Sequence, residues 1–220
     1  MVSVKRRLIA AVAVAASLAL SACAPGNGVV AQGAGVSVTT ADVSHFSDGL
    51  DGLAVVADQG WALTLAVIED AVVTEASDAG YAWSDDELAE DVAGWFSAIG
   101  YEPAVPDEAV FDAIRTAKSL GYLASTEDGS AFIAELAAEL ETDLDTSPRY
   151  GDFSAQLFLD SVTSAAQTAE ENVNSIGSSV YVVFVAVSGY DLTTAPAWFG
   201  APNAGPAPAD GSEPDASVTE

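Results

Sequence analysis

The chain has 220 residues, of which half are hydrophobic, and its 33 acidic residues outnumber 6 basic ones, for a formal net charge of −27. A field of this sign repels nucleic acid and anionic lipid surfaces, and it attracts divalent ions or basic unfolded segments. The single cysteine, Cys23, excludes an internal disulfide and a thiolate metal cluster. The acids could also serve only to keep a secreted protein soluble, and composition leaves that alternative open.

The N-terminus has the pattern of a bacterial lipoprotein signal. Three basic residues at positions 5–7 precede an apolar run at positions 8–20, which is too short to span a bilayer. Leu20-Ser21-Ala22-Cys23 then resembles the lipobox, which implies cleavage before Cys23 and acyl chains attached through its sulfur. We therefore expect residues 1–22 to be a signal peptide and Cys23 to anchor the chain on the extracytoplasmic face of the membrane. The alternative is a plain secretion signal or a membrane anchor that happens to hold a cysteine.

The expected mature chain keeps three basic residues against all 33 acidic ones, a formal charge of −30. We predict a flexible tether over residues 23–35 and a short strand at Val36-Ser37-Val38. Hydrophobic residues then recur every three or four positions, and capping signals such as Ser84 with Glu87 mark helix starts. Gly49 and Gly52 weaken the first helix. The predicted helices cover about residues 39–53, 61–79, 84–99, 107–120, 130–141 and 153–173.

The pattern changes after the sixth predicted helix. Residues 180–187 read Val-Tyr-Val-Val-Phe-Val-Ala-Val, and this β-branched, aromatic run predicts a buried strand. A strand must pair, and Val36–Val38 is the obvious partner, so we expect a minor two-stranded β element. Residues 196–220 contain five prolines, three glycines and several acids, which predicts a disordered tail. Trp198-Phe199 is a candidate to dock back onto the domain. The prediction is a single mainly α domain of about six helices over residues 36–195.

Few residues indicate catalysis. His45 is the only histidine, and no serine lies in a Gly-x-Ser-x-Gly elbow, so a structural or solvent-facing histidine is the favoured interpretation. Carboxylate pairs such as Asp85-Asp86 occur by chance among 33 acids. We therefore assign no catalytic residue and no cofactor.

Carboxylates could hold calcium at one place. Glu141-x-Asp143-x-Asp145 with Asp152 loosely imitates a calcium loop, but Thr146 stands where the turn requires glycine and an aspartate stands where a bidentate glutamate belongs. A solvated helix end is the alternative, and we assign no metal site.

The most distinctive stretch of the mature chain is Thr-Ser-Pro-Arg-Tyr-Gly-Asp-Phe at residues 146–153. It resembles the Asn-Pro-Arg-Tyr/Phe-Gly-x-Trp segment of actinobacterial lipoproteins related to the N-terminal domain of SurA and to the chaperone part of trigger factor. The order of other parts is similar, from the Thr-Thr-Ala-Asp-Val helix start at 39–43 to Pro196-Ala197-Trp198. The motif residues Pro148, Arg149, Tyr150, Gly151 and Trp198 are interpreted as structural. The first four form a tight turn, in which the arginine pairs with acids and the tyrosine packs on the core.

The sequence departs from that family in several places. Ser147 replaces the asparagine and Phe153 the tryptophan, residues 30–33 lack the usual Val-Asn-Gly, and the segment 157–192 is unusual for the family. We expect no parvulin-type isomerase domain after Gly151, because the residues that follow are too few for another domain of ordinary size beside the strand and tail. The resemblance therefore implies a SurA N-terminal-like helical body without the isomerase.

Two functional hypotheses follow from the lipobox and the resemblance. The first is a membrane-anchored, chaperone-like lipoprotein that binds exported or unfolded polypeptides and has no enzymatic activity. The second is a non-catalytic envelope interaction or structural lipoprotein. A secreted enzyme is a third interpretation, with no catalytic residues to support it. The expected partners are the bilayer, through the Cys23 acyl chains, and polypeptides; the oligomeric state stays open.

Overall fold

The computed structural model describes residues 28–56, 58–101 and 105–192. The prediction of a mainly α fold with a minor β element is confirmed. Within the described residues the elements are β1 Val29–Gly33, β2 Val36–Thr39, α1 Thr40–Gly52, α2 Gln59–Asp78, α3 Asp85–Ile99, α4 Glu108–Ala124, α5 Glu127–Asp143, β3 Leu144–Thr146, α6 Ala155–Ile176 and a 3₁₀ helix Gly177–Ala186.

The small sheet has the order β2–β1–β3, and both pairings are antiparallel. β1 therefore occupies part of the segment for which we predicted a tether, and Ala31 within it is fully buried. A two-residue turn joins β1 to β2, and both of its residues have positive φ, 50° at Ala34 and 77° at Gly35. That geometry is a type I′ hairpin turn, whose twist matches the twist of the flanking strands.

The predicted strand at residues 180–187 is wrong. Residues 180–186 belong to the 3₁₀ helix, which follows α6 directly and packs against α3, α4 and α6. Val182, Phe184 and Val185 are buried. The apolar run is continuous because the 3₁₀ helix is covered on several sides by other helices. Periodicity cannot distinguish a fully buried strand from a buried helix, and the sheet takes β1 and β3 as its strands instead.

Helix α4 lies at the centre of the domain and packs against α1, α2, α3, α5 and the 3₁₀ helix. Two glycines allow close approach. A Cβ on Gly49 would stand 2.3 Å from the carbonyl oxygen of Ala109, and a Cβ on Gly121 would stand 2.5 Å from the ring of Tyr181. The glycines that weaken an isolated helix therefore permit tight packing of α1 and the 3₁₀ helix on α4.

Ion pairs join α3 to α4. The Arg115 guanidinium donates to the Asp85 carboxylate at 2.8 Å, and the Lys118 ammonium pairs with the largely buried Asp91. Lys118 also lies 5.1 Å from the centre of the Trp83 ring, in the loop before α3. These contacts hold the edge helix α3 against the central helix.

Candidate functional site

An open cavity among the described residues lies between the β1–β2 hairpin and helices α1, α2 and α5. It has a volume of about 640 Å³. Phe46, Ala66 and Phe132 contribute apolar wall, and five carboxylates together with His45 contribute polar wall. We call this site the acidic cleft; its carboxylates belong to Asp42, Glu69, Asp70, Glu75 and Asp78.

One carboxylate of the acidic cleft has a local structural role. Asp42 accepts hydrogen bonds from the backbone N–H of Thr39, at 2.7 Å, and from its hydroxyl, at 2.8 Å. The Thr39 hydroxyl in turn caps the start of α1. This reciprocal capping box positions the N-terminus of α1 beside the hairpin, as the Thr-Thr-Ala-Asp pattern predicts.

The other four carboxylates lie in the C-terminal half of α2. Backbone carbonyls make the C-terminal end of a helix partially negative, so Glu75 and Asp78 stand where cations are favoured. The last turn of α2 contains no basic residue. These acids therefore destabilise the C-terminal end of α2. The partial negative charge of that helix end adds to the negative potential of the carboxylates.

Glu69 is the most perturbed of these groups. Burial, followed by repulsion from Asp112 and Asp70, raises the pKa of Glu69 from 4.5 to about 7. His45 and Arg115 act in the opposite direction, since a positive charge nearby favours the carboxylate. The cleft therefore holds a carboxyl that changes its charge near neutral pH.

A hydrogen-bonded chain runs from the cleft towards α3. His45 Nε2 lies 3.0 Å from Asp112 Oδ2, and Arg115 bridges Asp112 and Asp85. His45 is thus tied to a carboxylate on α4 and has no serine partner in the described residues. Asp85 is occupied by the Arg115 ion pair, which gives one member of the Asp85-Asp86 pair a structural role.

The cations of the expected mature chain are engaged by residues that do not line the cleft. Arg115 and Lys118 join α3 to α4, and Arg149 lies 5.6 Å from the centre of the Tyr150 ring. In the parts of the chain that are described, the lining of the acidic cleft includes no lysine or arginine. Among the described lining residues, His45 is therefore the one side chain other than the carboxylates that can carry a charge.

A second cavity, of about 340 Å³, lies between α6 and the 3₁₀ helix. We call it the tryptophan pocket, because the rings of Trp61 and Trp95 form part of its wall. The Trp95 indole N–H donates to the Leu53 carbonyl at 3.0 Å, which fixes the orientation of that ring. The remaining described wall residues are Val55, Ser161, Ser164, Ala165, Thr168, Val182, Val183, Val185 and Ala186.

The Pro-Arg-Tyr-Gly motif forms a turn next to β3. The Tyr150 N–H donates to the Ser147 carbonyl at 2.9 Å, with Pro148 at the second position, and Gly151 follows with a φ of 74°. The Tyr150 side chain is buried. Arg149 does not make the expected carboxylate pair within the described chain; it contacts the Tyr150 ring and lies 3.5 Å from Gln59 Oε1.

The motif leads into α6 through Phe153, which forms an isolated antiparallel bridge with Tyr190. The two rings pack edge to face with centroids 5.5 Å apart. Gly189 is required here, since a Cβ at that position would stand 2.1 Å from the Phe153 ring. The turn therefore connects the sheet to the last described residues of the chain.

The candidate calcium residues do not converge. Glu141 instead accepts a hydrogen bond from the Ala155 N–H at 3.0 Å, at the start of α6, and Asp145 lies in β3. Over residues 28–56, 58–101 and 105–192, no group of three or more histidine, cysteine, aspartate or glutamate side chains is arranged to hold a metal ion.

Two predicted site residues, Cys23 and Trp198, lie outside the described residues. Conversely, the acids of α2 were not predicted as a site, although the sequence contains one signal for them. Glu75 and Asp78 lie near the C-terminal end of a strongly predicted helix, against the preference of the helix dipole.

Comparison with protein-family models, curated proteins and solved structures found no match to this chain. The resemblance to SurA-related lipoproteins therefore stays a prediction. None of the helices that the structure describes is both long and apolar enough to cross a bilayer.

Proposed function

We propose that this chain is a membrane-anchored extracytoplasmic lipoprotein that binds exported or unfolded polypeptides without catalysing a reaction on them. Cys23 carries the acyl anchor, and the acidic cleft receives basic segments of the client. The observation that carries the proposal is a cleft that combines apolar walls with carboxylates and has no lysine or arginine in its described lining. Such a cleft is complementary to a segment in which lysine or arginine alternates with apolar residues.

The expected strength of this binding is moderate. Exposed ion pairs contribute about 0.2–1 kcal/mol each and weaken as salt screens them. Apolar contact with the partly exposed Ala66 and Phe132 adds a term that does not depend on salt. A client held in this way exchanges readily, which suits transient protection of a chain that has yet to fold.

A binding assay with a charge-matched pair of variants tests the role of the cleft. The mature chain, residues 23–220, is titrated with a fluorescent unstructured peptide that contains lysines and leucines. We expect Glu75→Lys/Asp78→Lys to weaken binding at least tenfold. The control Glu170→Lys/Glu171→Lys changes the net charge equally on the exposed surface of α6 and should stay within about twofold of the parent chain. Equal losses in the two variants would show that only the overall charge matters.

Client protection and anchoring require separate measurements. The mature chain should slow aggregation of an unfolded secreted protein, and failure at both low and high salt would remove the chaperone-like function. Mass spectrometry of the chain extracted from membranes should find Cys23 as the acylated N-terminal residue. An unmodified thiol, or a retained signal peptide, would contradict the anchor.

A non-catalytic envelope interaction lipoprotein is the second candidate. It is favoured by the closed core, since the described large hydrophobic residues that are exposed are few and include Val29, Val56 and Tyr101. A stable stoichiometric partner recovered from membranes, together with absent client protection, would favour this function over the first.

A further inference from the structure

The tryptophan pocket lies close to the point where the described chain ends. The Cδ1 atom of Leu192, the last described residue, lies 3.6 Å from the position of a Cβ built on Gly60. Gly60 immediately precedes Trp61, which lines the pocket, and the pocket residue Ala186 is six positions before Leu192. Leu192 therefore lies beside the start of α2, one residue before a residue of the pocket wall.

We propose that the tryptophan pocket is the intramolecular docking site of the aromatic pair Trp198-Phe199. Trp198 lies six positions after Leu192, and six residues of chain span at most about 20 Å when fully extended. Trp198 and Phe199 can therefore reach the tryptophan pocket, because Leu192 lies next to Gly60 and the following residue, Trp61, forms part of the pocket wall. This inference does not involve the acidic cleft and is independent of the proposed function.

The chemistry of the segment matches that of the pocket. Residues 193–200 read Thr-Thr-Ala-Pro-Ala-Trp-Phe-Gly and carry no charge, whereas four acids follow between residues 210 and 220. The described wall of the pocket is likewise uncharged and mostly apolar, with the hydroxyl groups of Ser164 and Thr168 on its α6 side. An indole buries a large apolar area and needs an acceptor for its N–H, and these hydroxyl groups can provide one.

Proline and charge favour this segment over other parts of the tail. Pro196 restricts the backbone two residues before Trp198, which lowers the entropy that docking costs. The residues that follow position 200 are acidic or small, and none of them is a large hydrophobic residue except Val218. Trp198-Phe199 is therefore the part of the tail with enough apolar surface to fill the pocket.

Fluorine NMR on the full mature chain tests this proposal. The chain contains four tryptophans, so 5-fluorotryptophan labelling produces four resonances. The resonance that is lost in Trp198→Phe is assigned to Trp198. We expect the Trp198 resonance to be shifted from that of free tryptophan and protected from solvent. A resonance at the free position with full solvent exposure would overturn the proposal.

A blocking variant identifies the site. Ser164→Arg places a long charged side chain at the pocket from an exposed position on α6, while Gln167→Arg places the same group on α6 away from the described pocket wall. We expect Ser164→Arg to move the Trp198 resonance to the free position and Gln167→Arg to leave it unchanged, with both variants folded by circular dichroism. If the Trp198 resonance were shifted in the parent chain and did not change in Ser164→Arg, Trp198 would be buried at another site and the proposal would be overturned. A shift that appears only at high protein concentration would mean docking onto a second copy and would overturn it too.

Stability provides an independent readout. Trp198→Ala should lower the melting temperature of the mature chain by about 3–6 °C, in line with the loss of one well-buried aromatic contact in a domain of this size. Adding Ser164→Arg to Trp198→Ala should then lower it little further, since the two changes break the same contact. Additive losses would contradict a shared site.

Discussion

At the scale of single residues, Glu69 is the group whose charge depends most on the fold. Burial and neighbouring acids raise its pKa to about 7. Because the folded state holds this proton more tightly than the unfolded chain, the contribution of Glu69 to stability is fully present below about pH 4.5 and is lost as the pH rises through 7.

Glu69→Gln removes this dependence. We expect the variant to be more stable than the parent chain at pH 8, and we expect its melting temperature to fall less between pH 5 and pH 8. The control Glu139→Gln changes an exposed glutamate on α5 and should follow the parent chain. Parallel pH profiles for Glu69→Gln and the parent would contradict the raised pKa.

Ala34 in the hairpin turn has a strained backbone conformation. Ala34 has a φ of 50°, and the left-handed region costs a residue with a Cβ about 1–2 kcal/mol unless its side chain forms local hydrogen bonds. Ala34→Asn creates the Asn-Gly pair that type I′ turns prefer, and it should raise the free energy of unfolding in urea by up to about 1 kcal/mol. Ala34→Val should lower it, because a β-branched residue fits this conformation poorly; a gain from valine would exclude a type I′ turn in solution.

At the scale of elements, the packing of α1 on α4 depends on Gly49. The α1 backbone lies so close to Ala109 that any side chain at Gly49 must push the helices apart. Gly49→Ala should therefore destabilise the protein by about 1–3 kcal/mol, although alanine favours an isolated helix by up to about 1 kcal/mol. The control Asp48→Ala lies on the exposed side of α1 and should change stability little; a stabilising Gly49→Ala would show that the two helices do not approach this closely.

The attachment of α3 depends on a largely buried ion pair. The side chains of Lys118 and Asp91 are 12% and 7% exposed, so replacing the lysine deprives a buried carboxylate of its ammonium partner. Lys118→Met should lower the free energy of unfolding by about 3–5 kcal/mol, measured with urea, and the double variant Lys118→Met/Asp91→Leu should recover much of this loss. If the double variant were less stable than the single one, the desolvation argument would be wrong.

At the scale of the whole molecule, unbalanced negative charge is the dominant electrostatic property. The expected mature chain has a formal charge of −30, and its few cations are engaged in local contacts. Salt screens long-range repulsion among exposed acids more than it weakens a buried pair. The melting temperature at constant pH should therefore rise between 10 mM and 500 mM sodium chloride, and a fall would mean that attractive pairs outweigh the repulsion.

Local patterns in the sequence predicted most of the helical architecture. The capping box predicted at Ser84 is present, the helix start predicted at Thr39 also has a capping box, and the six predicted helices each correspond to an observed one. Boundaries moved where a cap lay outside the apolar pattern, as for α5, which begins at Glu127 because the Thr126 hydroxyl accepts from the Gly129 N–H. These features depend on residues within a few positions of one another, so they can be predicted from the sequence alone.

The candidate site could not be predicted from local patterns in the sequence. The acidic cleft joins a hairpin near residue 34, α2 and Phe132 of α5, which are far apart along the chain. In a sequence with 33 acids, no local pattern distinguishes the carboxylates that converge from those that coat the surface. Only the arrangement of the helices selects Glu69 and its neighbours.

By itself, the sequence determined the sign of the electric field, the helical character of the chain and the helix starts, because composition, periodicity and capping are local properties. The tertiary structure decided three other features. It placed residues 180–186 in a 3₁₀ helix, recruited residues 29–33 into the sheet and gathered the acids of α2 into a cleft. Each of these outcomes depends on which distant segments bury one another, and burial among distant segments leaves no periodic signal in a single chain.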